Sequence, residues 1–247
     1  MPAIESLKVK IFADGADFES MKKLAQNPLI KGFTTNPSLV KKAGVTDYVA
    51  YAKQVIAAIP DRPISFEVFA DDLPSMEAQA LEIATWGEHV NVKIPVMNTK
   101  GETTAPLLKS LAEQGVELNV TALFTLEQVE EVAAVLSPDT PAIVSVFAGR
   151  IADSGIDPVP MMAEAARILA HKPKAELLWA SPREILNIYH ADEAGCHIIT
   201  VSHDVLAKLD LIGKDLFEYS LETVRTFYKD ATAAGFTIPT RRADAAE

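Results

Sequence analysis

Short apolar segments alternate with longer segments of helical period along the whole chain. The short segments are nearly continuous runs of apolar, often β-branched residues, which is typical of strands buried on both faces. The strands are predicted at residues 7–13, 32–35, 64–69, 90–96, 116–121, 142–147, 176–180 and 197–201.

The segments between these strands carry apolar residues at helical spacing. The helices are predicted at residues 18–26, 47–59, 74–86, 104–114, 126–136, 158–170, 182–192 and 205–211, with a further helix at 214–234. Repeated strand–helix units of this kind favour a single-domain (β/α)8 barrel over a doubly wound sheet. We expect one α/β domain over residues 1–238 and a mobile tail over 239–247.

Residues at the predicted boundaries support this division. Thr125 with Gln128 forms a capping box, and so does Ser181 with Glu184, where Pro182 would take the first helical position. Glycines also stand where helices are expected to end. They are Gly44, Gly87, Gly115 and Gly195.

Charge and composition exclude several classes of partner. The chain has 23 basic and 34 acidic residues, a net charge of −11, which argues against nonspecific binding to nucleic acid or to an anionic membrane. It contains neither a signal-peptide pattern nor an apolar run of membrane-spanning length, so we expect a cytoplasmic protein. The single cysteine, Cys196, lies in an apolar run and is expected to be a buried, inert thiol.

A lysine stands in the middle of one predicted strand. Burial disfavours the ammonium form, so Lys93 either extends its charged end to the surface or serves as a neutral amine nucleophile. In a barrel, chemistry is expected at the carboxyl ends of the strands, where other polar residues of this chain also fall. These are Asp14, Asn36, Glu67, Asn119, Thr121, Ser145, Arg150, Ser181 and Arg183.

Lys93 and its neighbours have the parts of a Schiff-base site. A lysine amine can attack a carbonyl, Asp14 and Glu67 can move protons, and the Thr121 hydroxyl can hold a water. Two simpler interpretations stay open at this point. Glu67 can be only a buried counter-ion of Lys93, and Ser181 can be only a helix cap.

Motifs for metals and nucleotide cofactors are absent from the sequence. The histidines lack the spacing of a zinc site, the acidic residues near Asp14 lack the spacing of a calcium loop, and no glycine-rich phosphate loop occurs. We therefore expect no metal and no cofactor. A phosphorylated substrate would need a local arginine pocket in so acidic a protein.

Four ordered motifs resemble those of the transaldolase family. TTNPSLV at residues 34–40 is similar to the family's N-terminal signature, and VKIPV at 92–96 is similar to its active-site segment. NVTALF at 119–124 and SVFAGRIAD at 145–153 match two further motifs. The resemblance extends over about residues 9–236 and implies a barrel enzyme that acts on sugar phosphates.

The resemblance also implies a role for each matching residue. Lys93 would form the Schiff base with the ketose carbonyl, and Asp14 would take the proton of the C4 hydroxyl. Glu67 and Thr121 would hold the water that relays protons. Arg150, Arg183 and Ser181 would bind the phosphate. The substrate-binding positions implied in this way are Asn36, Asn119, Ser145, Phe147, Arg150, Ser181 and Arg183.

The sequence departs from the family pattern at Gly15, where Asp-Gly-Ala replaces the usual Asp-Thr-Ala. Its short length resembles the compact subfamily, which implies a homo-oligomer such as a pentamer or decamer. Within that subfamily, Glu67 and Phe147 resemble true transaldolases, whereas aldolases that use free dihydroxyacetone carry Gln and Tyr at these positions. A fructose-6-phosphate aldolase-like lyase and a non-catalytic sugar-phosphate-binding barrel are the alternatives.

Overall fold

A closed barrel of eight parallel strands, hydrogen-bonded in chain order, forms the centre of the protein. This arrangement confirms the predicted (β/α)8 barrel. The computed structural model describes residues 2–238. The strands are β1 Lys10–Asp14, β2 Ile30–Thr34, β3 Ile64–Glu67, β4 Val90–Pro95, β5 Leu118–Leu123, β6 Ala142–Val146, β7 Ala175–Trp179 and β8 Ile198–Ser202.

Helices connect the strands around the outside, and a longer helix follows the last strand. Two short helices, at the carboxyl ends of β2 and β6, were not predicted from the sequence. The helices are α1 Phe18–Ala25, α2 Pro37–Lys42, α3 Tyr48–Ala58, α4 Leu73–Ala84, α5 Ala105–Glu113, α6 Leu126–Val135, α7 Ala148–Asp153, α8 Pro158–Leu169, α9 Leu186–Glu193, α10 His203–Leu206 and α11 Leu216–Ala233. Short 3-10 turns lie at Ile4–Ser6 and Leu209–Leu211.

The described chain divides into two units, residues 2–208 and residues 209–238. The first contains the whole barrel. The second contains α11, none of whose residues is buried, including the apolar residues Leu216, Phe217 and Phe227. The tail predicted at 239–247 lies outside the described residues.

One capping box is confirmed and the other is wrong. The Thr125 hydroxyl accepts from the Gln128 N–H, and the Gln128 side chain accepts in return from the Thr125 N–H. Ser181 does not cap a helix, because α9 begins only at Leu186. Ser181 has a φ of 58°, whereas a capping residue needs extended backbone.

Three of the four predicted glycine stops are confirmed by their backbone. Gly44, Gly115 and Gly195 have φ values of 74°, 80° and 78°, the left-handed conformation typical of the residue after a helix. Gly87 does not have a positive φ. The preceding helix, α4, has already ended at Ala84, and Thr85 is its terminal cap.

Large apolar side chains fill the barrel below the strand ends. Phe12 packs with Ile143, Leu178 and Ile198, all of which are buried. Gly32 makes room for this cluster, since a β-carbon there would lie 2.6 Å from the Phe12 ring. In a barrel with a packed interior of this kind, the binding site is expected at the carboxyl ends of the strands.

The predicted inert thiol is confirmed. Cys196 is buried, and burial raises the pKa of its thiol to about 12, so it is protonated at neutral pH. Over residues 2–238, the structure contains no helix both long and apolar enough to cross a membrane.

Gly149 should tolerate no side chain. A β-carbon there would lie 1.6 Å from the Ser181 carbonyl oxygen, so Gly149→Ala must push the start of α7 away from the loop after β7. We expect a loss of roughly 1–3 kcal/mol in the free energy of unfolding, measured by denaturant titration. The control is Gly87→Ala, whose β-carbon meets the Ile56 methyl at 3.0 Å and should change stability by less than about 1 kcal/mol. Equal stability of the two variants would contradict this packing.

Candidate active site

A cavity of about 500 Å³ opens at the carboxyl ends of the barrel strands. Every site residue predicted from the sequence lines it except Arg183. The predicted residues in its wall are Asp14, Asn36, Glu67, Lys93, Asn119, Thr121, Ser145, Phe147, Arg150 and Ser181.

Lys93 lies at the centre of this cavity. Its Nζ is 3.1 Å from Glu67 Oε2 and donates to the Thr35 carbonyl oxygen at 2.9 Å. The barrel register explains the first contact, because Lys93 and Glu67 are paired residues on β4 and β3. The Lys93 side chain is only 8% exposed, so it does not extend to the surface.

Asp14 ends β1 and is supported by two threonine hydroxyls. The Thr34 hydroxyl donates to Asp14 Oδ1 at 2.8 Å and also contacts the Thr200 hydroxyl. Burial raises the pKa of Asp14 above its usual 3.8, and the positive charge of Lys93 and the Thr34 hydrogen bond oppose this only in part. A raised pKa makes Asp14 a stronger base once ionised.

Gly15 provides space for a histidine beside Asp14. A β-carbon at this position would lie 2.6 Å from Nε2 of His203, which begins α10 after β8. Burial lowers the pKa of His203, and its Nε2 is enclosed without a hydrogen-bond partner within the described chain. At the departure Asp-Gly-Ala, the space of a side chain at position 15 is therefore occupied by the imidazole of His203, the first residue of α10.

Asn119 and Ser145 form a buried hydrogen-bonded chain across three strands. The Ser145 hydroxyl donates to Asn119 Oδ1 at 2.7 Å, and Asn119 Nδ2 donates to Ser65 Oγ at 2.9 Å. These bonds fix the orientation of the Asn119 amide beside Lys93, its register partner on β4. The side chains thus form a rigid polar wall next to the lysine.

Asn36 and Thr121 differ in how much of their hydrogen bonding is already used. Asn36 Oδ1 accepts from the Leu39 N–H at 3.0 Å, so it caps α2 as well as lining the cavity. Thr121 Oγ1 is buried and has no partner among the described residues. A buried hydroxyl of this kind can bind a water or a substrate hydroxyl.

The two arginines of the predicted phosphate site are placed differently. Arg150 lines the cavity, with its guanidinium 4.9 Å from the centre of the Phe147 ring. Arg183 lies outside the cavity wall and pairs with Asp153, its Nε 3.1 Å from Oδ1. Of the two arginines, the structure therefore brings only Arg150 directly to the cavity, where Ser181 also lines the wall.

Several residues in and around the cavity give no signal in the sequence. Thr34 and Thr200 stand on predicted strands, where an isolated threonine gives no signal of its own. Pairing across β8, β1 and β2 brings them to Asp14. Thr35 contributes a carbonyl, which side-chain patterns cannot indicate.

The arrangement combines three chemical capacities. Lys93 offers an amine, Asp14 offers a base with a raised pKa, and Glu67 lies within ion-pairing distance of the amine. A nucleophile with separate proton acceptors can convert a carbonyl into an imine and then cleave a neighbouring carbon–carbon bond.

Solved structures share the fold of this chain at low sequence identity. A 2,3-dimethylmalate lyase of the PEP mutase/isocitrate lyase superfamily matches with a TM-score of 0.55 at 13% identity, covering 96% of this chain and 88% of that one. Dihydrodipicolinate synthase from Rhodopseudomonas palustris matches with a TM-score of 0.52 at 14% identity, covering 91% and 83%. At these identities the similarity shows the barrel fold alone.

Sequence relatives are more informative. A "Probable transaldolase" from Dehalococcoides mccartyi is 33% identical over 202 residues, 81% of this chain and 90% of that protein. Another from Clostridium acetobutylicum is 34% identical over 224 residues, 90% of this chain and 99% of that protein. The family model described as Transaldolase/Fructose-6-phosphate aldolase matches residues 11–238. The chain belongs to the transaldolase/fructose-6-phosphate aldolase family.

Proposed function

We propose that the protein is a transaldolase that transfers a dihydroxyacetone unit from a ketose phosphate to an aldose phosphate. The observation that carries this proposal is the buried amine of Lys93, held by Glu67 and the Thr35 carbonyl inside the polar cavity. A buried lysine that faces a cavity is placed to act as a nucleophile.

The first half of the reaction cleaves the donor. The Lys93 ammonium gives a proton to the Glu67 carboxylate, and the neutral amine attacks the C2 carbonyl. The carbinolamine hydroxyl takes that proton back and leaves as water, which gives the protonated imine. The Asp14 carboxylate takes the C4 hydroxyl proton, the C3–C4 bond breaks, and its electron pair moves toward the imine nitrogen. The aldehyde leaves, and an enamine stays on Lys93.

The second half joins the unit to the acceptor. The enamine carbon attacks the acceptor carbonyl, and Asp14 returns its proton to the new alkoxide. Water then attacks the imine and releases the product ketose and the free amine. We assign the placement of that water to Glu67 and to the unpartnered Thr121 hydroxyl.

Phosphate binding is assigned to the arginine side of the cavity. Arg150 and Ser181 line the wall, and Arg183 lies close by on its Asp153 partner. Arginine forms bidentate, charge-assisted hydrogen bonds with phosphate, which a net charge of −11 would otherwise repel. Asn36, Asn119 and Ser145 would bind the sugar hydroxyls.

We choose transfer over simple aldol cleavage because of Glu67 and Phe147. Phe147 presents an apolar ring to the cavity, and the centroid of this ring lies 5.6 Å from that of Phe124. The ring has no hydroxyl that could hold a water near the imine. Slow hydrolysis of the intermediate gives an acceptor time to bind. Release of free dihydroxyacetone is the alternative outcome.

We also propose that the enzyme is a homo-oligomer. The support is the exposed apolar surface of α11, where Leu216 and Phe227 are among the residues left uncovered in the single chain. Contiguous apolar surface of this kind is typical of subunit contacts.

Borohydride trapping tests the covalent step. With fructose 6-phosphate, the wild-type protein should gain a reduced dihydroxyacetone adduct on Lys93, identified by peptide mass. Lys93→Ala and Lys93→Arg should lose trapping, and turnover should fall by several powers of ten, because neither side chain can form an imine. Lys10→Arg, which changes a lysine paired with Glu176 outside the cavity, is the control. Turnover above about a tenth of wild type in either Lys93 variant would overturn the Schiff-base mechanism.

Asp14→Asn should separate imine formation from cleavage. Trapping should persist, while turnover falls roughly 10²- to 10⁴-fold, the usual contribution of a general base. Only the carboxylate can accept the C4 hydroxyl proton, so wild-type turnover should decline as pH falls through the raised pKa of Asp14, above the ordinary aspartate value of 3.8. This acid limb should be absent from the residual rate of Asp14→Asn.

The control for Asp14 is Asp17→Asn. This change keeps a good capping residue at the start of α1, so turnover should stay close to wild type. If trapping and turnover fell together in Asp14→Asn, Asp14 would be needed before cleavage, against the assigned role.

Phe147→Tyr should shift the enzyme toward release of free dihydroxyacetone. A new hydroxyl in the cavity can position water near the imine, and one such hydrogen bond corresponds to about a fivefold change in the ratio of transfer to release. The ratio is measured with fructose 6-phosphate, with and without erythrose 4-phosphate. Phe124→Tyr adds the same hydroxyl to the neighbouring ring and is the control. If the wild type already released dihydroxyacetone as fast as it transferred it, the lyase alternative would replace the transaldolase proposal.

A further inference from the structure

The hydrogen-bond ladder between β2 and β3 stops next to Lys93. Its last regular bond runs from the Thr35 N–H to the Ser65 carbonyl at 3.2 Å. In a regular parallel ladder, the next bond would run from the Glu67 N–H to the Thr35 carbonyl. Both of these groups have other partners in the structure.

The two groups that leave the ladder are bound by side chains. The Glu67 N–H donates to the Tyr48 hydroxyl oxygen at 3.0 Å, and the Thr35 carbonyl accepts from Lys93 Nζ at 2.9 Å. Tyr48 belongs to α3, outside the barrel, and does not line the large cavity. Its hydroxyl therefore takes the place of a backbone carbonyl at the end of β3.

We propose that Tyr48 is a positioning residue for Lys93, an inference that rests on the proposed Schiff-base function. Because Tyr48 binds the Glu67 N–H, that group does not compete for the Thr35 carbonyl. The free carbonyl and the Glu67 carboxylate then hold Nζ from two sides. Tyr48 acts through these groups and does not touch the substrate.

The surroundings of Tyr48 hold its hydroxyl in one place. Its ring packs against Phe69, Phe66 and Trp86, with centroid distances of 4.5, 6.1 and 5.8 Å. Burial raises the pKa of Tyr48 to about 12, against the opposing effect of its hydrogen bond with the Glu67 backbone. The phenol is therefore neutral at neutral pH and accepts from the Glu67 N–H without adding a charge beside Lys93.

Without the Tyr48 hydroxyl, the Glu67 N–H should form the regular ladder hydrogen bond with the Thr35 carbonyl. In Tyr48→Phe the ring packing is kept, but a buried N–H loses its partner, which is costly to leave unsatisfied. The available acceptor is the Thr35 carbonyl, and its capture would displace Lys93 Nζ. The loss should therefore fall on the chemical step and leave phosphate binding intact.

The experiment measures kcat, KM and the number of trappable sites in the same samples. For Tyr48→Phe with fructose 6-phosphate and erythrose 4-phosphate, we expect kcat per borohydride-trapped lysine to fall about tenfold. KM for fructose 6-phosphate should change less than about twofold, since the phosphate contacts are untouched. Dividing by trapped sites makes the result independent of the folded fraction.

Tyr51→Phe is the matched control. Tyr51 lies on the same helix, and its buried hydroxyl donates to the Ala16 carbonyl at 2.8 Å, away from Thr35 and Glu67. If both variants had the same kcat per trapped site, or if Tyr48→Phe lost only trappable sites, Tyr48 would be a packing residue and the inference would be overturned. Absence of trapping in the wild type would instead overturn the proposed function itself.

Discussion

The contact on which the site depends is the one that holds the Lys93 amine between the Glu67 carboxylate and the Thr35 carbonyl. A buried ion pair is costly to desolvate and gains little unless its remaining hydrogen bonds are satisfied. Here the barrel provides those bonds through its own register. Lys93 is paired with Glu67 on one side and with Asn119 on the other, so three neighbouring strands determine where the amine lies.

The same constraint explains how the polar residues around Lys93 are held at the carboxyl end of the barrel. The lower interior contains Phe12 and its buried apolar neighbours Ile143, Leu178 and Ile198. Above them, several polar side chains are hydrogen-bonded to one another, as Ser145 is to Asn119 and Thr34 is to Asp14. Hydrogen bonds of this kind restrict the rotamers of these side chains, which is the preorganisation that a catalytic site needs. The polar layer is thus stable because it is connected.

The sequence revealed the fold and most of the cavity because both depend on local signals. Periodicity identified the strand–helix units, and a lysine inside an apolar strand identified the centre of the site. The errors arise where tertiary contacts override such signals. The sequence after Ser181 is typical of a capped helix. In the structure Ser181 has a left-handed backbone, and its carbonyl packs closely against Gly149. The roles of Thr34 and Tyr48 depend on Asp14 and Glu67, which only the closed barrel brings next to them.

The positions of the two arginines suggest how an acidic protein can bind an anionic substrate. Arg183 is about half exposed and paired with Asp153, and an exposed pair of this kind contributes only about 0–1 kcal/mol. A phosphate dianion that offers several oxygens can therefore replace Asp153 at little cost. As long as the pair is intact, Asp153 neutralises the charge of Arg183, so under the proposed function Arg183 would attract a phosphate only weakly at long range. Arg150 is held over the Phe147 ring and pairs with no carboxylate of residues 2–238, so under the proposed function it would be available to the same anion without competition.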